Sequence, residues 1–117
     1  MNATTPPSLV IDVVDTGDTV LFRVRGELDL RTGPRLDRAL TPFHARHCEL
    51  DLAEVPFTDS TGVNLLIRHQ RGAARAGGSL CLVAVTRSVR RVLEITGTAG
   101  LLIADRGLPR KPGSEAP

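Results

Sequence analysis

The apolar residues of this chain recur with two spacings, and the switches between them mark its elements. Val10-Ile11-Asp12-Val13-Val14 and Val20-Leu21-Phe22-Arg23-Val24-Arg25 are β-branched segments flanking Thr16-Gly17-Asp18, which predicts an N-terminal antiparallel hairpin. After the polar turn Gly26-Glu27-Leu28-Asp29, the spacing of Leu36, Ala39, Leu40 and Phe43 predicts a first helix, with Thr32 as its N-cap and Pro34 in its first turn. Cys48-Glu49-Leu50-Asp51-Leu52 reads as a short strand. Ser79 to Val85 reads as a nearly continuous apolar strand of the kind buried on both faces, hence central.

Between those strands a helix runs from the Asp59-Ser60-Thr61-Gly62 turn to about Ala76, closed by Gly77-Gly78. At 100° per residue, Val63, Leu66, Ile67, Gln70 and Ala74 share one side, and Asn64, Arg68, Arg71 and Arg75 form a basic stripe opposite. Leu65 and His69 fall outside the apolar arc, which makes them candidates for a partner surface. A last helix takes Ser88 as N-cap, Val89, Val92, Leu93 and Thr96 as its apolar stripe, and Gly97 as its stop. Leu101-Leu102-Ile103 is a candidate final strand. The sum is an α/β domain: a mixed sheet of four to five strands, opened by the hairpin, with three to four packed helices.

Residues 1–8 and 107–117 are Pro-rich and lack an apolar period, so they read as flexible tails around one domain at 9–106. With 117 residues, 41% of them apolar, the chain can build one core without disulfides or metals. No apolar run approaches the roughly 18 residues of a membrane-spanning helix. The opening residues lack the basic flank and apolar stretch of a secretion signal, so a cytoplasmic location is expected. The net charge of +2 is too small to imply nucleic acid, and only Phe22, Phe43 and Phe57 are aromatic, too few for a base-stacking surface. Cys48 and Cys81 lack CxxC spacing and read as small core residues.

Chemistry concentrates in Val55-Pro56-Phe57-Thr58-Asp59-Ser60-Thr61-Gly62, where an apolar segment exits into a hydroxyl-rich turn that starts a helix. The first amides of a helix have no internal acceptor, and the macrodipole adds partial positive charge there. A phosphate on Ser60 would therefore meet donors, with Gly62 adding no side chain to obstruct it. The plainer reading is that Asp59 or Ser60 is simply an N-cap. Nucleophilic catalysis by Ser60 would need a base, and none of His44, His47 and His69 is convincingly placed; the Gly-x-Ser-x-Gly elbow is also missing. His44 and His47 offer two ligands at most, so no metal site and no cofactor are expected.

Phe57-Thr58-Asp59-Ser60-Thr61-Gly62-Val63-Asn64-Leu65-Leu66, with Gly26-Glu27-Leu28-Asp29 upstream and Val89-Arg90-Arg91-Val92-Leu93-Glu94-Ile95-Thr96-Gly97 downstream, closely resembles the anti-sigma factor antagonists of the STAS domain family. The likeness spans approximately residues 9 to 104. It implies the STAS fold and a protein-binding switch, not an enzyme. In such antagonists the unphosphorylated protein binds an anti-sigma factor that is also a serine kinase of the histidine-kinase-like ATPase fold, and so frees a sigma factor. Phosphorylation of the serine after the motif's Asp, here Ser60, ends that binding, and a serine phosphatase restores it. The resemblance points to Asp29, Asp59, Ser60, Thr61, Gly62, Asn64 and Leu65 as the partner-binding set, with Thr61 a candidate minor site of modification. Asp29 reads equally well as a turn or N-cap carboxylate. Dimerisation is left open. The alternative is a free-standing STAS interaction subunit of a lipid-transport complex or a stress-signalling assembly.

Overall fold

The structure, a computed structural model, describes residues 9–103; the predicted tails at 1–8 and 107–117 lie outside the described residues. Strands β1 (Val10–Asp15) and β2 (Val20–Arg25) form the expected antiparallel hairpin, with Val13 opposite Phe22. Helix α1 (Gly33–Leu40) continues into a 3-10 turn at Thr41–Phe43 and leads to β3 (His47–Glu54), which pairs with β2 in parallel. Helix α2 (Ser60–Arg75) then crosses to β4 (Ser79–Val85), parallel to β3, and α3 (Arg87–Ile95) and α4 (Ala99–Leu102) follow. Gly77 closes the α2 to β4 connection with φ +86°, a conformation in which a side chain would be strained.

The sheet is four-stranded in the order β1-β2-β3-β4, which corrects two expectations. Strand β4 lies at the edge, not the centre, and its burial alternates: Leu80 and Leu82 face the core, while Val83 is exposed and Cys81 only half-buried. Leu101-Leu102-Ile103 does not form a fifth strand. Its first two residues end α4, and Ile103 contributes a single parallel bridge to Leu82. An apolar run cannot by itself distinguish a strand with two covered faces from an edge strand with one.

Packing explains the alternation. Val20, Phe22, Val24, Cys48, Leu50, Leu52, Leu80 and Leu82 point to one side of the sheet and meet Leu36, Leu40, Val63, Leu66, Val89, Leu93 and Leu102 in a continuous core. Phe22 sits at its centre, edge-on to Phe43 at 5.5 Å between ring centroids. Burial raises the pKa of the Cys48 thiol, as expected of an inert core cysteine.

Two helix starts also differ from expectation. Helix α3 is capped by Thr86, whose hydroxyl accepts from the Val89 amide at 3.3 Å and donates to the Val55 carbonyl at 2.9 Å, so Ser88 lies inside the first turn. Thr32 stands at the N-cap position of α1 as expected, but its hydroxyl makes no cap bond to the helix. It donates to the Glu27 carbonyl at 2.7 Å and accepts from the Asp29 amide at 3.0 Å.

Candidate functional site

Two loops meet at one end of the sheet. The segment after β2 runs alongside the segment after β3, joined by Gly26 N–H to the Glu54 carbonyl (3.2 Å), Leu28 N–H to the Phe57 carbonyl (3.2 Å) and a parallel bridge between Leu28 and Thr58. This stitch brings Gly26-Glu27-Leu28-Asp29 beside Thr58-Asp59-Ser60, which are distant in sequence. Leu28 is fully buried beneath the pair and Thr58 nearly so.

Asp59 is the N-cap of α2: its extended backbone presents Oδ1 to the Gly62 amide at 3.0 Å. Ser60 is therefore the first residue of the helix, exposed, with its hydroxyl not needed as a cap. Thr61 is half-buried and Asn64 exposed on the next turn. Asp29 holds the opposing loop as an Asx turn, its Oδ1 accepting from the Arg31 amide at 2.9 Å and the Thr32 amide at 3.1 Å. The Thr32 amide, despite some desolvation, keeps the Asp29 carboxyl below its ordinary range and hence ionised.

Two expected partner residues face inward instead. Leu65 is 3% exposed and sits against Gly33 of α1, so it cannot present a side chain to a partner. Gly62 is buried and its amide is already taken by Asp59. It is a glycine because a β-carbon there would overlap the Thr58 hydroxyl and lie 3.0 Å from Leu28 Cγ, and not to clear a path for a phosphate. Gly62→Ala is expected to lower stability by about 1–2 kcal/mol, since overpacking outweighs the gain in helix propensity. Urea denaturation checks this, and an unchanged midpoint would show that the close approach is relieved without cost.

The spacing of apolar residues gave no place to two others. Leu30, 71% exposed beside Asp29, and Phe57, 49% exposed before Thr58, leave large apolar side chains on both loops of the site. The available signal was local: Leu30 lies between Asp29 and Arg31 in a polar turn, and Phe57 is the last apolar residue before the hydroxyl-rich turn.

The histidines are also arranged differently from expectation. His69, 3% exposed, accepts or donates at both ring nitrogens: Nδ1 lies 2.7 Å from His44 Nε2, and Nε2 lies 2.6 Å from Asp37 Oδ1. The rotation of the buried arc of α2 toward α1 takes both Leu65 and His69 into the interior. His47 is apart from them, its Nδ1 2.9 Å from Ser79 Oγ. Desolvation lowers the pKa of His69 below its ordinary value of 6.5, against the pull of Asp37. The unfolded chain therefore binds more protons than the folded one just below pH 6.5, so the stability contribution is intact above that pH and declines on acidification through it. The thermal midpoint should fall between pH 7.5 and 5.5, with a shallower slope in His69→Gln; an identical slope would remove His69 as the cause.

The family described as Mlab, STAS domain matches residues 11–104. The anti-sigma-B factor antagonist of Staphylococcus aureus is 32% identical over 88 residues, which span 73% of this chain and 82% of that one. Among solved structures, an anti-sigma factor antagonist from Mycobacterium paratuberculosis superposes with a TM-score of 0.73 at 26% identity, over 86% of this chain and 87% of the other. The Bacillus cell fate determinant SpoIIAA in its phosphorylated form shares the fold, with a TM-score of 0.64 at 21% identity over 80% of this chain and 89% of that one.

Proposed function

The chain belongs to the STAS domain family, among its anti-sigma factor antagonists, and from that premise we propose that it is a protein-binding switch controlled by phosphorylation of Ser60. The observation that carries this is the exposed Ser60 on the first turn of α2, in the loop stitched to Asp29 and flanked by the exposed Leu30 and Phe57. Apolar side chains supply docking area. The serine between two carboxylate-bearing turns supplies the point at which charge undoes it.

In this reading the unphosphorylated chain docks an anti-sigma factor that is also a serine kinase of the ATPase fold, and a sigma factor is released. Asp29, Asp59, Ser60, Thr61 and Asn64 present the polar contacts, Leu30 and Phe57 the apolar ones, while Leu65 and Gly62 shape the surface from beneath. The kinase transfers a phosphoryl group to the Ser60 hydroxyl, and a phosphatase removes it. A phosphoserine adds roughly −1.5 to −2 charge. At a helix N-terminus that charge is tolerated by the fold, but it is set among Asp29 and Asp59 on the docking face, so the interface is lost without refolding. The domain itself performs no catalysis, and it works in the cytoplasm. The test is capture of the kinase by wild type and by Ser60→Asp chains. Capture of a transport or signalling assembly indifferent to Ser60 would instead favour the interaction-subunit reading.

A further inference from the structure

The hairpin leaves one edge of the sheet open. Strand β1 is the outermost strand, and among the described residues nothing pairs with its outer side, whereas the opposite edge is closed at Leu82 by the bridge to Ile103. Which backbone groups of β1 face outward follows from the turn. The Thr16 amide donates to the Thr19 carbonyl at 2.9 Å, so these two residues form a hydrogen-bonded pair. By the alternation of an antiparallel ladder, Val10, Asp12 and Val14 direct their N–H and C=O groups to β2. Ile11, Val13 and Asp15 turn theirs to the open side.

Edges of this kind are usually guarded by proline, lysine, a bulge or a covering loop. Among the described residues β1 has no such guard. Its ladder to β2 is unbroken over six residues, and its two charges are paired in place, Asp12 with Arg25 at 3.6 Å and Asp15 with Arg46 at 2.7 Å. Val13 lies opposite the buried Phe22 and so on the helix side of the sheet, yet it is 46% exposed because no strand stands beyond it.

We infer that this edge is a self-association surface, occupied by β1 of a second copy running antiparallel about a two-fold axis at Val13. The free groups themselves fix the register. Centred on Val13, the outward residues match as Ile11 with Asp15 of the second copy, Val13 with its own counterpart and Asp15 with Ile11, each pair exchanging both N–H···O bonds. On the outer face Asp12 then lies opposite Val14 of the second copy. An axis at Asp12 would set two carboxylates face to face, and an axis at Ile11 or Val14 would carry outward groups past the ends of the other strand. The pairing makes one continuous sheet of two copies. Because the two β1 strands run in opposite directions, the sheet ends that carry Ser60 point away from each other, and both proposed docking faces stay free.

A main-chain seam of this length, with little apolar area beside it, makes a reversible dimer with a dissociation constant of about 1–100 µM. The test is sedimentation velocity and amide hydrogen exchange on the full chain over a concentration series spanning that range. Protection should rise with concentration at Ile11, Val13 and Asp15 and change little at Val10, Asp12 and Val14. In mixed isotope-labelled samples the α protons of Asp12 and Val14 should show an intermolecular contact, the mark of a non-hydrogen-bonded pair in this register. These readings need no variant. Val13→Lys, which opposes two cations at the axis, should weaken the dimer by about tenfold or more, while Val83→Lys on the exposed side of β4 should leave it unchanged. Absence of association at the top of the series, equal losses in the two variants, or a rise confined to other amides would overturn the proposal. Protection of the three amides that is independent of concentration, or that arises only when another protein is added, would give the edge to a different occupant and overturn it as well.

Discussion

Ser60→Asp is expected to weaken docking of the ATPase-fold serine kinase by about 100-fold or more while the domain stays folded. The fold tolerates the charge because Ser60 is the first residue of α2 and Asp59, not Ser60, makes the cap bond to Gly62. A negative charge there interacts favourably with the helix dipole, by roughly 0.3–1 kcal/mol. The proposed interface should not tolerate it, because the ionised Asp29 turn lies alongside and a third negative group would have to be desolvated or paired on the docking face. Ser60→Ala removes the hydroxyl proposed to be modified without adding charge, so it should bind at wild-type strength and resist release by ATP. Affinity measured on the purified partner, with the thermal midpoint as the folding control, separates the outcomes. Full affinity in Ser60→Asp would sink the charge mechanism, and loss of binding in Ser60→Ala would sink the placement of the interface.

Phe22→Ala and Phe57→Ala should fail in opposite ways. Phe22 is wholly buried and edge-on to Phe43, so its truncation leaves a cavity under the middle of the sheet and costs about 3–5 kcal/mol. Against a total of about 5–15 kcal/mol for a domain, that lowers the thermal midpoint by on the order of 15–20 °C. Phe57 is 49% exposed in the site loop, and its truncation should change stability by no more than about 0.5 kcal/mol. Its loss should instead weaken partner binding by about tenfold or more, as expected of an aromatic anchor. Chemical denaturation and partner affinity on the two variants give a crossed pattern. A Phe57→Ala chain that binds normally would confine the interface to the polar residues around Ser60.

Much of the molecule was readable from local spacing. The hairpin about Thr16-Gly17-Asp18, the helices near 33–40, 60–75 and 87–95, and the Asp59-Ser60 turn each follow from residues adjacent in sequence. Turn chemistry and helical spacing act over a few residues, so their signatures survive without tertiary context, whereas the hydroxyls of Thr32 and Thr86 were drawn to the carbonyls of Glu27 and Val55 outside their helices. The Ser60 turn was legible for a further reason: three motifs in the order and spacing of a known family fall within one domain.

What the sequence by itself determined, then, is which segments become strands and helices and where the hydroxyl-bearing turn lies. The tertiary structure alone decided how those segments face one another. Periodicity along α2 sees one helix against one apolar environment, whereas α1 packs beside it and extends burial to Leu65 and His69. The same limit hid the edge position of β4, since an apolar alternation is silent about which neighbour stands on either side. It also hid the Asp37–His69–His44 chain, whose members come from α1, α2 and the segment between α1 and β3. Burial and hydrogen bonding are properties of pairs of surfaces, and the pairing of surfaces distant in sequence is fixed only when the whole core closes at once.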